Sequence, residues 1–230
     1  MSAADEKKLL LEGTTDRHTI SQLVEAYGDW GNSPKDRLFD CPHSKSNTDL
    51  LDVQLPLQLK NGNVRILGVV LDADADRAAR WQQFRSACLI HYSDFPALLP
   101  AEGLIYTSPN GRHRVGLWLM PDNQQSGMLE TFLQHLVPQD VDSQLAWEFA
   151  KSSAQEAQAS RKAPFREVHT DKAMIHTWLA WQDPPGQTFG DAISDRCLRP
   201  DVPLARQFIQ WIWDLFELPE QPELKSAVGT

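Results

Sequence analysis

Apolar and polar positions along this chain keep switching from strand-like runs to helical spacing, and acids collect where the switch happens. The clearest case is residues 66–76, ILGVVLDADAD. Ile66, Leu67, Val69, Val70 and Leu71 form an almost unbroken branched apolar run, as in a strand covered on both faces within a parallel sheet. The run stops at Asp72, Asp74 and Asp76, and the following RAARWQQFRSAC places Ala78, Trp81, Phe84 and Cys88 at helical intervals. A buried strand that hands over to a helix leaves its last residues at the carboxyl edge of the sheet, where open α/β proteins bind ligands.

The same hand-over occurs twice more. Residues 8–12, KLLLE, read as a strand ending in Glu12-Gly13. A helix follows, with Thr14 or Thr15 as its cap, Asp16 in its first turn, and Ile20, Leu23, Val24 and Tyr27 on one face. Residues 104–107 and 112–120 are strand-like runs joined through Ser108-Pro109-Asn110-Gly111, a hairpin signal. The second run passes into Asp122 and a helix with Met128, Leu129, Phe132, Leu133 and Leu136 on its apolar side and Glu130 in its first turn. Residues 29–48 read as an irregular connection with a short strand at 37–41, residues 49–60 as a helix that Pro56 kinks or ends, 61–63 as a turn and 95–103 as a loop. From Val141 the pattern is helical: Val141, Leu145 and Phe149 at four-residue steps, a Trp-rich helix over 171–182, and a last helix over 203–217. In that last helix Leu204, Phe208, Trp211, Ile212 and Leu215 share a face, and Trp213 and Phe216 read as packing against the sheet. The expected fold is α/β: a mainly parallel sheet with helices on both faces plus an all-helical C-terminal extension. Its expected divisions are a core over 1–138, an extension packed on it over 139–218, and a tail over 219–230.

Composition narrows the class. A chain of 230 residues with a formal charge of −9 gains little from bulk electrostatics on nucleic acid, though bound metal and local cations can still hold it. Cys41, Cys88 and Cys197 are far apart with no CxxC, which argues against a disulfide framework or structural zinc, Cys41-Pro42-His43 notwithstanding. The N-terminus lacks the apolar core of a signal peptide and no run has the length of a membrane span, so the expectation is a cytoplasmic protein with no membrane partner.

Three carboxylates crowded at one strand end repel one another unless a cation neutralises them, and the simplest is Mg²⁺ or Mn²⁺. A calcium loop of the EF-hand type fails, because counting from Asp72 puts Arg77 and Gln83 where Gly and Glu are required. A haloacid-dehalogenase-like Asp-x-Asp normally has Thr or Val where Asp76 stands. A manganese-binding glycosyltransferase motif and a solvated acidic turn capping a helix remain open. Glu130 is either a ligand or a helix-start residue. Arg112, His113 and Arg114 are the densest basic group, suited to phosphate or to the exposed side of an edge strand.

LLLEGTTD followed much later by VVLDADAD resembles the Toprim signature, a strand ending in Glu-Gly and a second ending in Asp-x-Asp. The stretches GLWLMPDNQQSGMLE and DKAMIHTWLAWQDPPG extend the likeness to short stand-alone bacterial Toprim-like proteins known as a domain of unknown function, with OLD-type nucleases as more distant relatives. The resemblance implies Glu12, Asp72 and Asp74 as metal ligands, with Asp16, Asp122 and Glu130 as additional ones. It also implies Glu12 and Lys172 as catalytic groups, and Arg112 and Arg114 remain the candidates for nucleic-acid contact. A topoisomerase tyrosine, a primase zinc module and a Gly-x-x-x-x-Gly-Lys-Ser/Thr motif are absent from the sequence, so any ATPase partner is separately encoded. Two readings follow: a Mg²⁺-dependent phosphodiesterase acting on DNA or RNA, or a non-catalytic interaction or nucleotide-sensing module. The density of carboxylates at strand ends favours the first.

Overall fold

A computed structural model describes residues 6–29, 31, 37–42, 49–219 and 222–225. Four strands, β1 (Lys7–Leu10), β2 (Ile66–Asp72), β3 (Leu104–Thr107) and β4 (Arg114–Met120), form one sheet in the order β1-β2-β4-β3. β1, β2 and β4 run parallel, and β3 returns antiparallel beside β4 through the expected hairpin, where Gly111 takes a positive φ of 68°. Residues 37–41 contribute a single parallel bridge, Lys8 to Asp40, rather than a strand.

Both faces of the sheet are covered, which explains the apolar run of β2. Ile66, Val70, Trp118 and Met120 point to one side; Leu67, Val69, Leu71, Val115, Leu117 and Leu119 point to the other. The first side is packed by α1 (Thr14–Glu25) and, through later helices, by α4 (Leu129–Gln134), α6 (Thr170–Leu179), α7 (Phe189–Ser194) and α8 (Pro203–Phe216). The second side is packed by α2 (Leu55–Lys60) and α3 (Arg77–Leu89). α5 (Val141–Ala159) lies against α6. The expected α/β class holds, as do the parallel sheet and its two helical layers.

Several local expectations are corrected. Neither Thr14 nor Thr15 caps α1; Gly13 holds the N-cap position without a side-chain bond. Pro56 does not break its helix, because a π-helical turn over Leu50–Gln54 precedes α2 and leaves the proline in the first turn, where its missing N–H costs nothing. Ala78 is exposed, and Trp81, Phe84 and Cys88 alone carry the buried face of α3. Val141, Leu145 and Phe149 are exposed as well; α5 buries Trp147, Ala150 and Ala154 instead, whose two alanines let α6 come close. α7 occupies a segment whose sequence shows no clear helical period.

α8 is strongly amphipathic: Ala205, Phe208, Ile209, Trp211, Ile212, Leu215 and Phe216 are buried, and Arg206, Gln207, Gln210 and Asp214 form a narrow polar stripe on the outer side. It seats against two glycines that are cross-strand partners, Gly68 of β2 and Gly116 of β4. A Cβ on Gly116 would stand 2.6 Å from the Leu215 side chain, and one on Gly68 would stand 2.9 Å from it. The end of α8 is then held by cations at the amino edge of the sheet. Lys7 Nζ donates to the Phe216 carbonyl at 2.6 Å, Arg114 Nη2 to the Asp214 carbonyl at 2.8 Å, and Arg65 pairs with Glu217 at 2.8 Å. Positive charge is favourable at a helix C-terminus, where carbonyls lack helical partners.

Filling the notch should therefore cost stability. Gly116→Val is expected to lower the unfolding free energy by about 1–3 kcal/mol through overpacking. Gly62→Ala, in a turn with nothing within 4 Å of the new carbon, should change it by less than about 0.5 kcal/mol. Urea midpoints at constant m decide between them.

Candidate functional site

β1 and β2 are parallel neighbours, so their carboxyl ends lie side by side, and Glu12 and Asp72 meet there. Glu12 Oε1 accepts a hydrogen bond from the Asp72 backbone N–H at 3.0 Å. Asp72 Oδ1 accepts one from the Leu129 N–H at 2.9 Å, at the start of α4. Asp74 takes a left-handed φ of 53°, a conformation Asp tolerates better than most residues. A two-way bridge holds it there, with Asp74 N–H to Gly127 O at 2.8 Å and Gly127 N–H to Asp74 O at 2.9 Å. Its carboxylate forms a short ion pair with Arg80 of α3.

Asp16 completes the group from the first turn of α1. Its Oδ2 would stand 2.9 Å from any Cβ at position 13, so the glycine of the Glu-Gly pair is the space the Asp16 carboxylate occupies. Glu130, buried in the first turn of α4, pairs with Lys172 Nζ of α6 at 3.0 Å. The helical C-terminal half thereby delivers a cation to a carboxylate cluster built by the sheet.

The electrostatics are those of too much negative charge in too little water. Burial pushes Glu12 up to about 7, with Asp16 and Asp74 adding repulsion, while the Asp72 N–H and Arg80 pull the other way. Burial raises Asp72 well above the carboxylate range, reinforced by Glu12, Asp16 and Glu130. Asp16 is raised by burial and by Glu130, against the backbone of its own turn and Lys172. Among the described residues, no three His, Cys, Asp or Glu side chains already converge in an arrangement that holds a metal ion. Hydrogen bonding explains why: Glu12 and Asp72 turn to backbone N–H groups, Asp74 to Arg80 and Glu130 to Lys172. The donor set, all oxygen and mutually repelling, nevertheless has the chemistry of a hard divalent cation site.

The other sequence candidates lie elsewhere. Asp122 closes the turn after β4, accepting from the Gln124 and Gln125 N–H groups at 2.9 and 2.8 Å. Burial alone would raise it, but these bonds and the Gln125 side chain outweigh that and hold it low. Asp76 is the N-cap of α3, accepting from Ala79 N–H at 2.9 Å. Arg114 begins β4 and Arg112 precedes it, at the amino edge, roughly 20 Å of strand away from the acids. Arg114 is spent on the end of α8, and Arg112 lies in the exposed hairpin loop. Cys41 is buried, its thiol pushed up to about 12 by burial, and His43 lies outside the described residues.

Two further residues shape this edge. Arg80 was legible as the first-turn-and-a-half partner of an aspartate that precedes the same helix. Asn123, wholly buried, was not: it accepts from Leu119 N–H at 2.7 Å, and its own carbonyl takes Arg77 Nε at 2.6 Å.

A raised carboxyl pKa makes stability depend on pH. Glu12 titrates at about 7 in the folded chain against 4.5 ordinarily, so between those values the folded state holds a proton that the unfolded chain releases. That stability is fully present below 4.5 and lost as pH rises through about 7. Asp72 is shifted in the same direction and steepens the loss. Glu12→Gln has no proton to lose. Its melting temperature relative to the wild type should climb across this window in chelator, and a constant gap at every pH would contradict the raised pKa.

No curated protein and no solved structure matches the chain. Among the described residues no helix is long and apolar enough to cross a membrane. A family model covers residues 6–217, nearly the whole chain, and by that match the chain belongs to the family described as Protein of unknown function (DUF3226).

Proposed function

We propose that the chain is a Toprim-like, metal-dependent phosphodiesterase that acts on DNA or RNA. The observation that carries this reading is the meeting of Glu12 and Asp72 at adjacent parallel strand ends, with Asp16 and Glu130 close enough to raise the Asp72 pKa. Burying that much like charge is costly, and a divalent cation is the neutralising partner that also gives the cost a use. Glu12 and Asp72 would hold Mg²⁺ or Mn²⁺, with Asp74 joining once it turns from Arg80, and Asp16 and Glu130 as further oxygen donors. Bound metal would supply Lewis-acid polarisation of a phosphate and would lower the pKa of a water so that hydroxide is available to attack it. Glu12 would serve there as a ligand in its ionised form, because a cation beside its carboxylate offsets the burial and repulsion that raise its pKa. Lys172 and Arg80, each already paired with one of the acids, would be the cations that meet a phosphate oxygen.

Arg112 and Arg114 stand at the opposite edge of the sheet and take no part in this reading. With a formal charge of −9, the chain's own grip on a polyanion is weak and salt-sensitive, so a partner that holds the substrate, such as a separately encoded ATPase, fits it. The second reading, a non-catalytic interaction or nucleotide-sensing module, is favoured by the pairing of each acid with a protein donor or cation.

Metal binding and turnover are tested together. Mg²⁺ or Mn²⁺ should raise the melting temperature, by the equivalent of about 2.7 kcal/mol at a hundredfold excess over Kd. Asp72→Asn should be more stable than the wild type without metal and should lose the metal-induced rise. Wild type should nick plasmid, single-stranded DNA or RNA at low salt, and Glu12→Gln and Asp72→Asn should not. A metal shift without cleavage in any substrate favours the second reading. Equal residual cleavage in all three proteins marks contamination.

A further inference from the structure

A hollow of about 410 Å³ lies on the α3 flank, between that helix and the π-helical turn that precedes α2. One residue joins it to the carboxylate cluster. Arg80 lines the hollow, yet its Nη2 pairs with Asp74 and its charge is felt at Glu12. Nη1 donates to Gln83 Oε1 at 3.0 Å. The Nε–H is buried with no hydrogen-bond partner, a donor the fold has placed and not satisfied. That nitrogen is enclosed, so a phosphate in the hollow would meet the Nη groups in exchange for their present neighbours, its several oxygens accepting from more than one N–H at once.

The rest of the wall is mixed in a way that suits a nucleoside. Pro56 and Ile90 supply flat and branched apolar surface, and Ile90 is 80% exposed, which is costly for a side chain with nothing to cover it. Gln83 and Ser86 offer a carboxamide and a hydroxyl to the edge of a base. Asp52, also on the wall, opposes a phosphate at its own end but accepts from ribose hydroxyls or an exocyclic amine. The size selects as well: a few hundred Å³ accommodates one nucleotide and not a run of them. π-helical turns recur at functional sites, and this one forms the opposite wall.

We propose that this hollow is a mononucleotide subsite, holding one nucleoside monophosphate unit with its phosphate at Arg80, on the threshold of the carboxylate cluster, and its base against Pro56 and Ile90. The inference rests on the phosphodiester reading for its purpose and sharpens it: the unit engaged is a single nucleotide, free or at a strand end, rather than an internal stretch of duplex.

Binding is measured by calorimetry on the full chain with the four nucleoside monophosphates, the matching nucleosides and inorganic phosphate, in chelator and in Mg²⁺. Monophosphates should bind at least tenfold more tightly than either the nucleosides or phosphate alone. Ser86→Trp, which fills the hollow from an exposed position, should weaken them at least tenfold and leave the melting temperature and the metal-induced rise unchanged. Arg80→Gln should remove the preference for monophosphate over nucleoside. A 5′-phosphorylated oligonucleotide that competes with the monophosphate places a strand end in the subsite, and monophosphate binding without such competition places a free nucleotide there. The proposal is overturned if monophosphates bind no better than phosphate, or if Ser86→Trp binds them as the wild type does. In either case an intact metal-induced rise that Asp72→Asn abolishes leaves the phosphodiesterase reading standing.

Discussion

The parallel pairing of β2 with β1 on one side and β4 on the other is the constraint from which the rest follows. Parallel strands need helical crossovers, and crossovers cover both faces, so β2 has no solvent-facing side on which to place polar residues. Polar chemistry is pushed to the strand ends. At the carboxyl edge that means Glu12, Asp72 and Asp74; at the amino edge it means Lys7, Arg65 and Arg114. The two edges have opposite charge and different tasks. Cations at the amino edge receive the C-terminus of α8, with its unpaired carbonyls and Glu217. Among the described residues, the cations paired with acids of the carboxyl-edge cluster are Arg80 and Lys172.

Those two cations come from opposite layers, and this gives the site its character. Arg80 rises from α3 on one face, and Lys172 from α6 in the helical half that covers the other. Each pairs with one acid, Asp74 or Glu130, while Glu12, Asp72 and Asp16 carry the raised pKa values. A cluster arranged this way responds to whatever cation or phosphate arrives, because new charge changes every partner at once.

The loop between β4 and α4 sets the geometry of that cluster. Asn123 in a left-handed turn ties off β4, Gly127 bridges Asp74, and Leu129 N–H meets Asp72. Thr131 binds Asp171 at 2.5 Å and thereby docks α6 beside α4, which places Lys172. Asp122 belongs to the same loop but faces its own turn, so an acid after a strand end serves either the site or the loop that shapes it.

How much of this was written in the sequence divides along a physical line. Period and breaker residues determined the elements. The apolar run of β2, the Asn-Gly hairpin and the apolar face of α8 need only local pattern, and hydrophobic burial then dictates two helical layers on a parallel sheet. The same pattern put Glu12 and Asp72 at strand ends, and their adjacency follows from neighbouring parallel strands. What local pattern does not contain is direction and competition. Two apolar stripes on α5 competed, and the small residues of one won because they allow close approach to α6, leaving Val141, Leu145 and Phe149 outside. Arg114 read equally well as a phosphate ligand until the end of α8 arrived beside it. Asp16, Asp76, Asp122 and Glu130 are alike in sequence, each an acid in a turn or at a helix start. Only the packing of distant segments decides which is buried among other charges, which caps a helix and which closes a loop, because desolvation and Coulomb energy depend on what lies within a few ångströms in space and not along the chain.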